Sequence, residues 1–383
     1  MTNPTQTLIQ SDVLQRIRYP LEDAWTLPPE AYTSAEIFEK ERETLFSTGW
    51  LCVGREEQFA DPGDFRCIDL PAQPIVVVRD HNNEINAFSR ICLHRAMPVA
   101  QGSGNTTRFV CPYHNWTYEL TGQLRSAPMM DGVRGFNPKK CQLPKLAVER
   151  WQGFVFINVD LNAEPLAPQL AGLTKVIANY EFEHMVIVDT LEFDSPWNWK
   201  ILVENFMEAY HHIGTHKTTF EPVYPARMSS IDDNHGEPWV LLRMPAKPKH
   251  ASEGSIFRNL EDQEKDQLLA ICVFPTLLFA ASATGAAWYQ LEPSAHNKMT
   301  LKIHAMTTQA AADAMDDADR MKLMTTLRTV HTEDIEANRG PWLGLNGAMT
   351  TQGRLSTYEK SIWQLNQLWV EALGFGQGTE AGN

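Results

Sequence analysis

The chain has 383 residues, enough for two domains, and at 43% hydrophobic and 21% charged it has the composition of a globular protein rather than a fibre or disordered tail. Its formal net charge of -14, from 33 Lys and Arg against 47 Asp and Glu, makes nucleic acid a poor candidate partner. No run of about 18 apolar residues indicates a membrane span, and the N-terminus lacks the pattern of a signal peptide. We therefore expect a cytoplasmic protein with no membrane partner.

One helical pattern lies in the first 45 residues, in TSAEIFEKERETLFSTGW. Either Thr33 or Ser34 can cap this helix. Its mostly apolar face consists of Ile37, Phe38, Glu41 and Leu45. We expect residues 1–45 to form a helical segment that packs on the larger, C-terminal domain of the chain.

Residues 46–160 show short β runs separated by turn residues such as Pro62-Gly63-Asp64 and Thr121-Gly122. This pattern predicts a small all-β domain. The predicted strands are Trp50 to Gly54, Phe65 to Leu70, Pro74 to Val78, Ile85 to Phe88, Phe109 to Val110 and Phe154 to Val159.

Beyond residue 160 the periodicity becomes mixed. Strands such as Ile271 to Phe279 and Trp288 to Leu291 alternate with late helices at Ala310 to Asn338 and Leu355 to Leu373. The predicted fold class is therefore α+β, with the small all-β domain followed by a larger domain, residues 161–383, that has an antiparallel sheet and helices.

Two short Cys/His pairs carry the strongest motif in the chain. Cys92-x-His94 is followed, after sixteen intervening residues, by Cys111-x-x-His114. Two thiolates and two imidazoles suit either a structural zinc site or a Rieske [2Fe-2S] cluster, in which two His replace two Cys on one iron. A zinc finger places its histidines together on a helix, whereas here each histidine has its own cysteine, which favours the Rieske cluster. The remaining cysteines are expected to be buried small hydrophobes: Cys52, Cys67, Cys141 and Cys272.

A second group of titratable residues lies within NWKILVENFMEAYHHIGTHKTTFEP and consists of Glu208, His211, His212 and His216. Non-haem Fe(II) oxygenases hold iron with two His and one carboxylate. On a regular helix, His212 and His216 share a face better than His211 and His216 do. Gly214 lies between them and can end or distort the helix, so these residues alone leave both pairs open.

Both groups resemble the motifs of one family. The stretch from LPPEAYTSAEIF through the two Cys/His loops is similar to the N-terminal part of Rieske non-haem iron oxygenases, specifically their terminal oxygenase α subunits. The later segment is similar to their carboxylate-x-x-His-x4-His motif, preceded here by Asn198-Trp199-Lys200 and Glu204-Asn205. The resemblance implies that a mononuclear Fe(II) is bound by His211 and His216. It also implies that the [2Fe-2S] cluster is held by Cys92, His94, Cys111 and His114.

The third iron ligand implied by the resemblance is a carboxylate far along the chain. VHTEDIEANRGPWLGLNG is similar to the late helix that carries the ligand aspartate of the family, and Asp334 occupies the matching position. Glu333 and Glu336 are the alternatives. GRLSTYEKSIWQLNQLW is similar to the helix that closes the catalytic domain of the family.

The chain departs from the family pattern at three positions. Arg90 stands where Asn is common, and Ala96 where Gly often follows His-Arg, but neither is a ligand. Glu208 stands where most members have the Asp that links a cluster-ligating histidine of the neighbouring subunit to an iron-ligating histidine. Its extra methylene adds roughly 1 Å of reach. Members with Glu here include enzymes that act on quaternary ammonium compounds such as carnitine.

The resemblance implies a terminal oxygenase that uses O2 as co-substrate and works as a head-to-tail homotrimer. No Gly-x-Gly-x-x-Gly opens a helix after a strand, so we expect electrons from NAD(P)H to come through a partner reductase with flavin and iron-sulfur groups, directly or through a ferredoxin. The expected reaction is hydroxylation of a small organic substrate, an aromatic or other ring compound.

Three alternatives remain at this stage. One is a monooxygenase that hydroxylates a quaternary ammonium or N-methyl compound and cleaves its C–N bond. The others are a Rieske electron-transfer protein without catalysis and a zinc-stabilised binding protein. Phe274, Leu278 and Trp288 are candidates for the wall of a substrate pocket, with ordinary sheet core as the alternative for all of them.

Overall fold

The computed structural model describes residues 8–252 and 254–375, and the chain divides into two compact units. The smaller unit is Phe46–Leu166, and the larger joins the chain up to Leu45 with the chain from Ala167 onward. Residues 1–7 and 376–383, which belong to the predicted segments 1–45 and 161–383, lie outside the described residues. None of the helices in the described ranges combines the length and apolar character that crossing a bilayer requires.

The smaller unit is built from ten short strands. Seven form an antiparallel sheet in the order β1-β10-β9-β4-β3-β2-β5, and three form a second sheet in the order β6-β7-β8. In chain order, β1 to β10 are Leu51–Arg55, Asp64–Asp69, Pro74–Arg79, Ile85–Ser89, Ser103–Asn105, Phe109–Val110, Thr117–Tyr118, Leu124–Ser126, Lys145–Trp151 and Phe154–Asn158.

One interior strand of the seven-stranded sheet, β3, contains a continuous run of apolar residues. In β3, the residues Ile75 to Val78 are fully buried, as expected for a strand covered on both faces. A tight turn precedes β2, where Gly63 adopts a φ of +97° and a Cβ would meet the Thr106 carbonyl oxygen at 2.5 Å. Only glycine fits that turn without strain.

The larger unit contains one seven-stranded antiparallel sheet in the order β11-β17-β16-β15-β14-β13-β12. From β12 to β17 each strand pairs with the next along the chain, and β11 pairs with β17. These strands are β11 Met185–Ser195, β12 Ser230–Ile231, β13 Trp239–Pro245, β14 Gln267–Val273, β15 Leu277–Ser282, β16 Gly285–Ala295 and β17 Lys298–Thr308.

Several α-helices contact this sheet, and Asn205, Glu333 and Asp334, which are discussed below, lie on helices. Helix α7 packs against the long helix α10. In chain order, the α-helices of the described residues are α1 Ser11–Ile17, α2 Glu30–Thr33, α3 Ala35–Glu43, α4 Leu45–Thr48, α5 Leu166–Gln169, α6 Ala171–Ile177, α7 Trp199–Phe206, α8 Asp262–Lys265, α9 Gln309–Ala314, α10 Asp317–Leu345 and α11 Lys360–Ala372.

The predicted fold class is confirmed, with corrections to individual elements. The strand predicted from Ile271 to Phe279 is wrong, because the chain turns between β14 and β15 at Pro275, which has no N–H to donate to a ladder. The helix predicted from Ala310 to Asn338 is two helices, and the second continues to Leu345.

The helix predicted near the N-terminus begins where its cap predicts. Ser34, rather than Thr33, caps α3, because its hydroxyl accepts the Ile37 amide at 3.2 Å. Glu41, on the apolar face, is fully buried and pairs at 2.5 Å with Lys200 of α7. The charged residue in the apolar pattern is therefore an ion-pair partner inside the larger unit.

Candidate metal centres

The two Cys/His pairs lie on two loops of the smaller unit. Cys92 and His94 lie between β4 and β5, and Cys111 and His114 lie between β6 and β7. Both cysteines are buried, whereas His94 is exposed and His114 is partly exposed. The Nδ1 atoms of the two imidazoles lie 3.1 Å apart. Ala96 adopts a φ of +54°, a conformation that favours glycine, which explains why glycine would suit this position.

The arrangement of these four donors fits a binuclear cluster. A single zinc ion needs all four ligand atoms around one point, whereas a Rieske cluster has two irons and divides the thiolates and imidazoles between them. The Cys92 and Cys111 side chains interact with each other, and the His94 and His114 rings contact each other through their Nδ1 atoms, so the donors form two like pairs. The thiols lie on the buried side and the imidazoles meet at the surface, as a divided set requires.

Aromatic side chains cover this site. Trp116 stacks on His94 with ring centroids 4.9 Å apart, and Tyr113 stacks on His114 at 3.9 Å. The Tyr118 hydroxyl lies 3.3 Å from the Cys92 sulfur, and burial raises the pKa of this tyrosine. Tyr118 is fully buried, so its hydroxyl is held next to the sulfur.

The second site lies in the larger unit. Ligand atoms of His211, His216 and Asp334 all lie within 4.8 Å of one another. The Asp334 Oδ1 lies 3.0 Å from the His216 Nε2 and 3.7 Å from the His211 Nε2. Two imidazole nitrogens and one carboxylate oxygen converge, which is the ligand set of a non-haem Fe(II) site with open positions.

Local structure explains why His211 rather than His212 joins this group. Helix α7 ends at Phe206, and Tyr210–Ile213 forms a separate 3-10 turn, so the spacing of a regular α-helix does not apply. The His212 ring turns away, and its Nδ1 lies 3.0 Å from the Tyr224 carbonyl oxygen. Burial lowers the pKa of His212 to about 4, so it is neutral at physiological pH. The choice that the spacing left open is decided by this break in the helix.

Carboxylates also contact the Nδ1 atoms of both histidines, whereas Asp334 faces their Nε2 atoms. Glu208 Oε1 lies 2.7 Å from the His211 Nδ1, and its Oε2 accepts the His211 backbone N–H at 2.9 Å. Glu333 Oε2 lies 2.6 Å from the His216 Nδ1. Glu333, one alternative for the third ligand, therefore contacts the far nitrogen of His216. Glu336, the other alternative, is exposed and paired with Arg339.

Electrostatics favour a charged Asp334. Burial alone would raise the pKa of this carboxyl, but hydrogen bonds and charge interactions with the two histidines and with the Asn205 amide outweigh it and hold the pKa below its usual value. Asn205 donates to the Asp334 Oδ1 at 2.9 Å. For His216, burial acts to lower the pKa and the carboxylates of Asp334 and Glu333 raise it above the ordinary value. The site is thus rich in negative charge, as a cation site should be.

A cavity of about 560 Å³ adjoins His211 within the larger unit. Its acidic lining consists of Glu204, Glu208 and Glu359, and Tyr32 contributes a hydroxyl. The pattern analysis missed Tyr32 and Glu359 because their sequence positions are remote from the motif. The three residues expected to line a pocket do not line this cavity, and two of them, Leu278 and Trp288, are buried in the sheet core.

Models of two known domain families match this chain, one in each unit. A model of the Rieske [2Fe-2S] domain matches residues 49–137, and a model of the ring hydroxylating alpha subunit (catalytic domain) matches residues 182–374. Together these matches define a protein with a Rieske [2Fe-2S] domain and a catalytic domain of the mononuclear-iron type. The chain belongs to the ring-hydroxylating α-subunit family of Rieske non-haem iron oxygenases, and the resemblance inferred from its motifs is confirmed.

Curated relatives and solved structures name particular enzymes to which this chain is similar. The carnitine monooxygenase oxygenase subunit of Acinetobacter baumannii is 35% identical over 191 residues, which is 49% of this chain and 52% of that protein. The chain thus spans about half the length of this curated relative. A solved structure of a quaternary ammonium Rieske monooxygenase, 25% identical, superposes with a TM-score of 0.81 over 95% of this chain and 98% of that chain. Naphthalene 1,2-dioxygenase from Rhodococcus sp., 20% identical, gives a TM-score of 0.78 over 97% and 100% of the two chains and shares the fold.

Proposed function

We propose that this protein is the terminal oxygenase of a Rieske system that hydroxylates a quaternary ammonium compound. The observation that carries the oxygenase part of the proposal is the convergence of His211, His216 and Asp334 within 4.8 Å in a chain that also has a Rieske [2Fe-2S] domain. When bound, the iron supplies the centre for O2 activation and the cluster supplies electrons. A partner reductase that oxidises NAD(P)H provides those electrons.

The residues of the chain have distinct tasks in this proposal. Cys92 and Cys111 would hold the cluster from the buried side, and His94 and His114 would hold it from the surface. His211, His216 and Asp334 would hold the mononuclear iron, which would supply O2 activation. Asn205 fixes the Asp334 carboxylate through its 2.9 Å hydrogen bond.

Relatives and local aromatic residues support the substrate class. The resemblance of the motifs predicts a ring compound, but a carnitine monooxygenase subunit is 35% identical over about half of this chain, and a quaternary ammonium monooxygenase superposes with a TM-score of 0.81. The fold alone does not separate the two classes, because naphthalene dioxygenase shares it. The Asp334 carboxylate interacts electrostatically with Tyr289 of β16, whose ring centroid lies 4.8 Å from that of Phe206 on α7, and aromatic faces attract ammonium groups.

Product analysis tests the substrate class. The enzyme, loaded with cluster and iron and supplied with a reductase and NADH, is incubated separately with L-carnitine, choline and naphthalene. Hydroxylation of the carbon next to the ammonium nitrogen gives a carbinol that splits into a carbonyl compound and a tertiary amine. We expect O2-dependent oxidation of at least one ammonium compound and none of naphthalene. Naphthalene diol formation with no ammonium oxidation would refute this assignment.

Glu208 supports a second part of the proposal, a head-to-tail homotrimer in which the cluster of one subunit serves the iron of the next. Its carboxylate contacts His211 and also lines the acidic cavity. Close to the cluster ligands, the exposed Arg95 supplies a positive charge, and its guanidinium lies 5.2 Å from the centroid of the Tyr113 ring. Opposite charges on two surfaces favour their association.

Mixed oligomers test this arrangement. His94→Ala should remove a working cluster and His216→Ala a working iron site, so homo-oligomers of either variant are inactive. If electrons cross between subunits, co-expression of differently tagged variants followed by double affinity purification should restore part of the activity. Sedimentation should give a trimer. Active single-chain monomers, or inactive mixed trimers that contain both intact centres, would contradict the arrangement.

A further inference from the structure

The imidazole of His216 is held from both sides by adjacent residues of one helix. Its Nε2 lies 3.0 Å from the Asp334 Oδ1, and its Nδ1 lies 2.6 Å from the Glu333 Oε2. The ring is almost completely buried, with 1% of its surface exposed. Both ring nitrogens are therefore engaged, and α10 supplies both partners.

The carboxylate of Glu333 is itself fixed in place. The Thr219 hydroxyl donates to the same Oε2 atom at 2.7 Å. Thr219 lies three residues after His216, so one segment carries both the histidine and the hydroxyl that binds the Glu333 carboxylate. This closed set of hydrogen bonds links residues 216–219 to the middle of α10.

These contacts determine which nitrogen of His216 can bind a metal. Both ring nitrogens face carboxylates, which only accept hydrogen bonds. With a cation bound between Nε2 and Asp334, the proton of the imidazole would remain on Nδ1, next to Glu333. The Nε2 atom is the one that faces Asp334. A carboxylate in this position also makes the imidazole a more basic ligand.

Each of the two histidines has a carboxylate next to its Nδ1 atom, but the two carboxylates come from different parts of the chain. Glu208 contacts the His211 Nδ1 from three residues earlier on the same segment, whereas Glu333 reaches His216 across the fold. Glu208 also lines the cavity and Glu333 does not. Among the described residues, Glu333 contacts His216 and Thr219, both within the larger unit.

We propose that Glu333 is a positioning residue of the mononuclear iron site, which fixes the tautomer and the ring orientation of His216. From the sequence alone, Glu333 is an alternative to Asp334 as the third ligand. The geometry points to a different role, in which Glu333 acts through His216 and Asp334 is the ligand. This inference rests on the proposed iron site.

Metal affinity measures this role directly. The variants are Glu333→Gln, Glu333→Asp and Thr219→Val, with Glu336→Gln as the matched control, since Glu336 lies on the same helix, has the same charge and is 71% exposed. Each protein keeps its cluster, is depleted of mononuclear iron and is titrated with Fe2+ against a chelator. Loss of a carboxylate that supports a metal-binding histidine typically weakens metal affinity 10–100-fold. We expect a loss of about that size for Glu333→Gln, smaller losses for Thr219→Val and Glu333→Asp, and none for the control.

The outcomes separate this inference from the proposed function. Equal Fe2+ affinity in Glu333→Gln and Glu336→Gln would refute the positioning role while leaving the iron site intact. Failure of the unsubstituted protein to bind Fe2+ more tightly than His216→Ala would instead refute the site itself. A general structural effect would lower the thermal midpoint of the metal-free protein, so that midpoint is measured for every variant. Recovery of affinity in Glu333→Asp with an unchanged midpoint would support the carboxylate as the group responsible.

Discussion

Glu204 is a carboxyl group whose protonation changes near neutral pH. It accepts a 2.6 Å hydrogen bond from the Tyr32 hydroxyl in the acidic cavity. Burial, reinforced by the charges of Glu359 and Glu208, raises its pKa from 4.5 to about 7, although Tyr32 and Lys200 act in the opposite direction. Between these two pH values the folded protein retains a proton that the unfolded chain has lost.

This difference makes stability depend on pH. Because the native state binds more protons, the free energy of unfolding falls as pH rises from 4.5 to about 7, by about 1.4 kcal/mol per pH unit at most. Glu204→Gln removes the titration. We expect this variant to gain on the order of 2 kcal/mol relative to the unsubstituted protein between pH 5 and pH 8, seen as a thermal midpoint that rises relative to wild type. Parallel midpoint profiles for the two proteins would contradict this expectation, and Glu336→Gln serves as the exposed control.

Tyr118 is placed to tune the cluster. Its hydroxyl lies 3.3 Å from the sulfur of Cys92, and hydrogen bonds to cluster sulfurs raise the reduction potential by stabilising the added negative charge. A hydrogen bond to a charged group contributes about 1.5 kcal/mol, which is on the order of 65 mV for one electron. We expect Tyr118→Phe to lower the potential by an amount of that order, measured by redox titration followed by EPR. A potential equal to that of the unsubstituted protein would exclude the hydrogen bond as a determinant.

For individual residues, the sequence predicts which side chains form the iron site but not which atoms contact one another. His211, His216 and Asp334 were proposed from motif resemblance, and the structure brings them together. The residue spacing leaves both His211 and His212 open, because only an unbroken helix would favour His212, and the helix ends at Phe206. The contact between Glu333 and His216 joins positions separated by 117 residues, so no local pattern could have indicated it.

Helices α3, α7 and α11 are joined by one buried ion pair. Lys200 of α7 contacts Glu41 of α3 at 2.5 Å, and the indole N–H groups of Trp199 and Trp369 donate to the same carboxylate. The ammonium group also lies 5.0–5.6 Å from the rings of Tyr32, Trp199 and Trp369. Burial lowers the pKa of Lys200, and Glu41 opposes this shift. The N-terminal segment is thereby attached to the body of the larger unit.

Removing one partner of this pair should be costly. Lys200→Met leaves the Glu41 charge buried without compensation, and loss of one member of a buried pair typically costs about 3–5 kcal/mol. We expect a large fall in the free energy of unfolding, measured by denaturant titration. The double variant Lys200→Met, Glu41→Gln should recover part of it. Arg42→Ala, which breaks an exposed pair with Glu39 on α3, should leave stability unchanged. Equal effects of Lys200→Met and Arg42→Ala would show that burial does not matter here.

Strand prediction succeeded where apolar runs are continuous. In the smaller unit the predicted strand at Pro74 differs from β3 by a single residue at its end, whereas β9 was missed. The β9 sequence KLAVERW contains charged residues at Lys145, Glu149 and Arg150, which obscure the apolar pattern. Pairing with its neighbours β10 and β4 stabilises this strand, and that information is not local.

Two metal centres in two compact units should be separable by mutation. His216→Ala changes only the larger unit, and His94→Ala only the smaller. We expect about three irons and two sulfides per chain in the unsubstituted protein, about two irons with an unchanged visible spectrum in His216→Ala, and loss of sulfide with retention of one iron in His94→Ala. Iron and acid-labile sulfide analysis measures all three. Loss of the cluster spectrum in His216→Ala would mean that the centres have been assigned wrongly.

The larger unit is assembled from both ends of the chain. Gln352 donates to the carbonyl groups of Val13 and Thr26, and Trp363 donates to that of Tyr19. A nascent chain that has left the ribosome as far as Leu166 already holds every strand of the smaller unit, whereas the N-terminal segment must wait for α11. Because domains fold as units during synthesis, the smaller unit can close and receive its cluster while translation continues. The three proposed ligands of the mononuclear iron are complete only after Asp334 has been added, so translation makes the cluster ligands available before the iron ligands.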